Sequence, residues 1–378
     1  MANAGKTNVL LETLVLRILA IVVALALFGV FVAFAKANPF EVYKLMYQGS
    51  FESLFAFKDS LERAAPMILT ALCVALPARM GMVVIGAEGA LVVGALAAAA
   101  IAIPLQGSSP MTVLSAMALS GLVCGGIWIM TVGGLRYYRG VNETICSLLM
   151  NYIAIALFNH FVDGPLRDPQ SLNKPATLPI GDDNALGKIP WFQDGKWLDE
   201  GTGVHWGFAF GIGFCILAYF ILQHTTTGFS IRTAGGNIRA AKIVGLPVGL
   251  LTLGTCFAAG AAAGLAGMVE VAAVQGNANA AIIAGYGYEG ILVSFIARHN
   301  PLAIIPVAIL LGGMKASSGM LQRHANLPDA SVLVLQGILF VVILASETLY
   351  GRFAIFKAKE KPKSAPPAMP AIEGAAHG

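Results

Sequence analysis

Two short stretches put an ionisable group where an apolar chain can least accommodate one. Residues 86–92 read G-A-E-G-A-L-V and residues 287–293 read G-Y-E-G-I-L-V, agreeing at five of seven positions. Each carries a glutamate, Glu88 or Glu289, with glycines two residues before and one residue after it. A carboxylate near a bilayer centre costs about 2.5–3.5 kcal/mol on insertion scales, so it normally faces protein or water. The flanking glycines weaken a helix by about 1 kcal/mol each relative to alanine. Backbone freed in that way is tolerated only where it lines a cavity or is buried in protein. Two uses follow for Gly86, Glu88, Gly89 and for Gly287, Glu289, Gly290 as helix breaks in the core of a helix bundle. The carboxylates can accept hydrogen bonds from the freed backbone, or they can meet substrate or a proton; backbone support is the favoured role.

The surrounding composition makes lipid the solvent. The chain has 378 residues, 57% hydrophobic and 12% charged, about half the charged share of a soluble domain. No basic patch interleaves with aromatics, which excludes nucleic acid as a partner. The five cysteines lie in apolar runs without a C-x-x-C pair, and no metal-ligand cluster is visible. Neither H-E-x-x-H nor G-x-S-x-G occurs, so no catalytic site is expected. Gly5-Lys6-Thr7 offers only the end of a phosphate-binding loop, with no strand before it. No cofactor is expected in this chain.

Apolar runs near the 20 residues that a span needs predict an all-α polytopic membrane protein of about ten transmembrane helices, some discontinuous. They fall at about 14–35, 64–80, 82–104, 111–133, 142–162, 206–224, 248–273, 286–298, 301–320 and 331–350. The first is followed by A-K-A at 35–37, but its length suits an uncleaved span better than a signal peptide. Segment 286–298 is too short to cross alone. The two glutamate motifs fall on the third and eighth spans, and an offset of five spans inverts orientation, so an inverted internal repeat is expected.

Residues 1–13 are then a cytoplasmic N-terminus, 14–350 the transmembrane domain, and 351–378 a basic and Pro/Ala-rich tail expected to be disordered in the cytoplasm. Basic clusters at Arg136/Arg139, Arg232/Arg239/Lys242 and in the tail put both termini inside. The loops 36–63 and 163–205 lie outside; the second is long enough to ask for a role, and its tryptophans, with Trp206, suit the bilayer interface, with a docking surface as the alternative. Gly260-Ala-Ala-Ala-Gly264, followed by Gly267, is a small-residue packing face.

Several stretches together resemble the permease subunits of ABC importers in the branched-chain amino acid and simple-sugar/ribose permease superfamily, most closely its nucleoside and simple-sugar types. They are M-V-V-I-G-A-E-G-A-L-V-V-G-A (82–95), V-N-E-T-I-C-S-L-L-M-N-Y-I-A (141–154), G-F-S-I-R-T-A-G-G-N-I-R-A-A-K-I-V-G-L (228–246), A-A-A-G-L-A-G-M-V-E-V (261–271), G-Y-G-Y-E-G-I-L-V-S-F-I-A-R-H-N-P-L (285–302) and Gln336-Gly337. The resemblance implies a cytoplasmic coupling segment within 225–247, involving Gly228, Arg232, Arg239, Ala240, Ala241, Lys242 and Gly245. Arg239 stands where such permeases usually carry an acid, which suggests a matched acid on the partner.

The resemblance further implies a bacterial inner-membrane location and a pore made with a second related permease, as a heterodimer. It implies an extracytoplasmic substrate-binding protein above and a cytoplasmic ATPase below, which binds ATP-Mg. A neutral polar substrate needs hydrogen-bonding and stacking groups more than charge. Asn151, Tyr152, Asn159, Gln275, Asn277, Tyr286 and Tyr288 are candidates, and interhelical hydrogen bonding is an alternative use for each. The rival function is a gradient-driven secondary transporter with Glu88 or Glu289 as proton relay.

Overall fold

The computed structural model describes residues 19–171, 174–193, 196–198 and 203–349. The expected N-terminus 1–13, the start of the first span and the tail 351–378 lie outside the described residues. The chain is nearly all helical. Its helices are α1 (Leu19–Phe34), α2 (Pro39–Tyr47), α3 (Leu54–Ala78), α4 (Ala87–Ala102), α5 (Pro110–Arg139), α6 (Glu143–Asp163) and α7 (Trp206–His224). There follow α8 (Thr226–Gly236), α9 (Ile238–Ile243), α10 (Val248–Val269), α11 (Tyr286–Ile296), α12 (Pro301–Ala316), α13 (Ser318–Ala325) and α14 (Ala330–Leu349). A small antiparallel hairpin, β1 (Trp191–Gln193) with β2 (Lys196–Leu198), interrupts the segment before α7.

Polar side chains set the helix starts. Ser53 accepts from the Ala56 N–H at the head of α3, Asn142 from Thr144 and Ile145 at the head of α6, and Asn237 from Ala240 at the head of α9. Asn38, Ser109 and Asn300 cap helices whose first residue is proline, which has no N–H to orphan.

Among the described residues, six helical stretches are long and apolar enough to cross a membrane, or up to seven if α1 and the stretch Pro39–Glu52, bent by 117°, count as one span. The helix of the second apolar run starts at Leu54, ten residues before the run itself. Asp59 and Arg63 pair at 3.2 Å, four residues apart, so the polar first turns remain helical. Residues 36–63 therefore hold α2 and the start of α3.

Of the long stretches, α3 and the one running from Val248 to Gln275 are mostly buried within the chain, whereas α5, α6 and α7 keep broad apolar faces outward. α10 forms the spine against α3, α4 and α5. Leu69, Leu72, Leu91 and Met268 are all buried where these helices meet.

Candidate translocation site

Two short helices begin at the two glutamate motifs, and their starts meet. Residues 82–86 lead without regular structure into α4, with Gly86 at its N-cap, while Gly285, left-handed at φ +80°, starts α11. Glu88 sits in the first turn of α4 and Glu289 in the first turn of α11. The Glu88 carboxylate reaches across to the other helix. Its two oxygens accept from the Gly285 N–H at 3.0 Å and the Gly287 N–H at 2.6 Å. One carboxylate therefore sits in the first turn of its own helix and bonds orphan donors of another. Both ends have the positive polarity of a helix N-terminus.

The glycines permit that crossing. A Cβ on Gly287 would collide with the Glu88 backbone, and one on Gly290 would lie 2.8 Å from the Ala71 nitrogen on α3. In the first motif, a Cβ on Gly89 would lie 3.0 Å from the Asn151 Cα. A Cβ on Gly86 would lie 2.8 Å from the Ile129 side chain.

One face of α6 fastens this non-helical segment. Glu143, Ser147 and Asn151 recur every four residues, so they share a face. Glu143 lies 3.4 Å from the Val83 N–H, and Thr144 beside it donates to the Val83 carbonyl at 2.9 Å. Ser147 accepts from the Ile85 N–H at 2.9 Å. Asn151 is fully buried, donating to the Ile85 carbonyl and accepting from the Gly89 N–H, each at 2.8 Å. Glu143 is also ion-paired with Arg136.

Glu289 is neutralised differently. Lys315 at the end of α12 contacts its carboxylate at 2.9 and 3.1 Å, and the same ammonium lies 3.9 Å from the centre of the Tyr286 ring. Sequence reading passes over Lys315, because a single lysine near the end of an apolar run resembles a span-end anchor. The available signal was a cation inside a proposed span of a chain that also buries acids. Glu270 is a third buried acid, 3% exposed where α10 loosens into a π-helical turn, within electrostatic reach of Lys315 and Arg63.

The other candidate contacts scatter. Tyr288 lines a cavity of about 520 Å³ together with Ile85, Glu289 and Gln336. Tyr152 is exposed on α6, and so is Asn159. Gln275 and Asn277 both accept from the Asn279 amide, at 3.4 and 2.6 Å. Tyr286 is buried beneath Lys315.

The segment 163–205 is fastened to the loop that leads into α11. Thr177 and Ala278 exchange hydrogen bonds at 2.9 and 3.0 Å, the Ile180 N–H donates to Gly276, and the Leu186 N–H donates to Ala272. His205 closes this segment at the head of α7. It is 3% exposed, neither ring nitrogen has a hydrogen-bond partner among the described residues, and burial holds its pKa down at about 4. The folded chain keeps this imidazole neutral, whereas the unfolded chain protonates it near pH 6.5. Its stabilising contribution is complete above pH 6.5 and is lost as pH falls towards 4, amounting to about 2 kcal/mol by pH 5. Melting of the purified protein at pH 7.5 and 5.0 checks this. His205→Phe should lose less stability on acidification by about that amount, and equal losses would eliminate His205 as the source.

At the far end of α7 lies the segment 225–247. A Cβ on Gly228 would strike the Ile221 and Leu222 carbonyls, so glycine allows the sharp turn from α7 into α8. Ala241 is buried, whereas Arg239, Ala240 and Lys242 are exposed, and Lys242 lies 5.3 Å from the Tyr137 ring centre at the end of α5. Gly245, at φ +83°, turns the chain after α9. Arg232 is half-buried near Arg79, which donates to the His299 carbonyl at 2.7 Å.

Comparison with known proteins gives one family and several relatives. A model of the branched-chain amino acid transport system permease component matches residues 56–344. The chain is 29% identical over 337 residues to the glucose ABC transporter permease protein TsgB13 of Haloferax volcanii, covering 87% of each. It is 27% identical over 361 residues to the guanosine ABC transporter permease protein NupP of Bacillus subtilis, covering 93% of this chain and 98% of that one. To the nucleoside ABC transporter permease protein NupB of Lactococcus lactis it is 23% identical over 331 residues, covering 86% and 90%. With most of its helical body inside the family match, the chain belongs to the family of branched-chain amino acid transport system permease components.

Proposed function

We propose that this chain is the membrane-spanning permease subunit of an ABC importer that takes up nucleosides or related simple sugars. ATP-Mg binds and is hydrolysed on a cytoplasmic partner ATPase, a second related permease completes the pore as a heterodimer, and an extracytoplasmic binding protein delivers substrate. The chain crosses the inner membrane ten times with both termini cytoplasmic. Up to seven long spans and the three shorter apolar helices Ala87–Ala102, Ala280–Ile296 and Ala330–Ser346 can supply that number. α4 and α11, each starting at a G-x-E-G motif, are the corresponding elements of the inverted repeat.

The observation that carries the reading is α9. Within an otherwise lipid-facing molecule, this short helix presents Ile243 at 86% and the following Val244 at 75% exposure, beside the exposed cations Arg239 and Lys242. An apolar ridge rimmed by charge suits a cleft on a water-soluble partner. Movement of that partner would be passed along α8 and α5 to the bundle. A neutral substrate suits the interior, where Glu289 is paired with Lys315 and Glu88 with backbone N–H groups. The nucleoside and sugar classes follow the names of the relatives. The gradient-driven alternative has less support, because the carboxylate of Glu88 is committed to holding α11 in place.

Purification of tagged chain from its native membrane tests this. A stoichiometric ATPase and a second permease are expected with the parent chain, and Ile243→Asp should lose the ATPase while keeping the second permease. A parent complex lacking any ATPase across several mild detergents would overturn the reading.

A further inference from the structure

The 520 Å³ cavity has a recognition group that the packing of the chain leaves unused. Gln336, in the second turn of α14, is 4% exposed, lines this cavity, and has a side-chain nitrogen without a hydrogen-bond partner among the described residues. An unpaired amide is costly in an apolar interior, so a position like this calls for a partner. Glu289 is the cavity's carboxylate, and Lys315 neutralises it at 2.9 Å. Most of the remaining wall is apolar or aromatic. Tyr288, 41% exposed, lies on α11, and Phe340 on α14 is held edge-on by Phe295 with ring centres 5.8 Å apart. Gly337 beside Gln336 keeps the wall open, since a Cβ there would meet nothing within 4 Å.

A single amide among aromatic rings, without net charge, is a poor receptor for a sugar, whose hydroxyls need many polar partners. It suits a heterocyclic base, which offers a donor and an acceptor side by side on its edge and a flat face for stacking. We propose that this cavity is a nucleobase subsite on the translocation path and that Gln336 reads the edge of the base. The proposal rests on the nucleoside reading above. Gln336 then acts as a specificity residue, with Tyr288 and Phe340 supplying faces for the ring.

Uptake of guanosine, inosine, adenosine and uridine by cells carrying the complete transporter tests it, with assembled complex quantified for each variant. Gln336→Leu should change the ratio of rates between bases by at least about fivefold, the discrimination expected of a lost amide–base pair. Gln336→Glu, nearly the same shape but without the amide donor, should shift the preference towards bases that present a donor. A uniform fall for all four nucleosides, unchanged ratios in both variants, or failure of both variants to assemble would make Gln336 a packing residue and overturn the proposal. Parent cells that import a sugar and no nucleoside would overturn the nucleoside reading itself, a result distinct from unchanged base ratios.

Discussion

Glu88→Ala is expected to lower the stability of the purified protein by about 3 kcal/mol or more and to abolish uptake. The substitution removes the acceptor of the Gly285 and Gly287 N–H groups, and hydrogen bonds to a charged partner are worth about 1.5–3 kcal/mol each. Gly287 also lies against the Glu88 backbone, so water has little room to take the place of the carboxylate. Glu88→Gln separates this role from proton transfer. Its single carbonyl oxygen can serve one N–H, but its NH₂ group faces the other donor, so stability and uptake should fall together to an intermediate level. A relay carboxylate would behave differently, with uptake lost in the glutamine variant at parental stability. Thermal melting beside uptake decides between them, and an alanine variant that melts with the parent would remove Glu88 as a support of α11.

The same residue marks how far the sequence could be read. Its repeated G-x-E-G context, the apolar runs and the basic segment before α10 were all local patterns, and they located the short helices and the charged stretch that holds α9. The bond from Glu88 to Gly285 and Gly287 links segments almost two hundred residues apart, which no local spacing encodes. Lys315 was hidden for a related reason: what makes it notable is the acid opposite, on a different helix. The α6 face was half legible. Asn142 reads as a cap and Glu143 as a dipole partner, yet Ser147 and Asn151 acquire meaning only once a non-helical, hydrogen-bond-hungry stretch lies beside them. Polar residues on spans are ambiguous until the element they serve is known, and Gln336, whose amide nitrogen has no hydrogen-bond partner among the described residues, is the sharpest case.

Gly264→Ala should be nearly as damaging, although it adds a single methyl group. Its Cβ would meet the Gly121 carbonyl oxygen and lie 3.0 Å from both the Gly121 carbonyl carbon and the Gly125 Cα on α5. A Cβ on Gly94 of α4 would in turn strike Gly264, so three backbones converge on one position. Side chains can rotate away from an added methyl, whereas backbone must move as a helix, so the cost should exceed the usual 1–3 kcal/mol of overpacking and reach about 3 kcal/mol or more. Membrane helices gain little from apolar burial in lipid and depend on such close approach, which makes the loss hard to recover elsewhere. Gly254→Ala, on the same helix with open space around its Cβ, is the control. It should be neutral or stabilise by about 0.5–1 kcal/mol through helix propensity. Melting temperature and the monodisperse fraction in mild detergent report both variants, and equal behaviour would refute the three-helix contact. The expected contrast has a mechanical meaning. α4, α5 and α10 form one tightly keyed body, and that body carries Glu88 on one side and bears against Lys242 of α9 through Tyr137 on α5. A push delivered at α9 would therefore reach the α4 end of the α4–α11 junction, where the Glu88 carboxylate holds the start of α11.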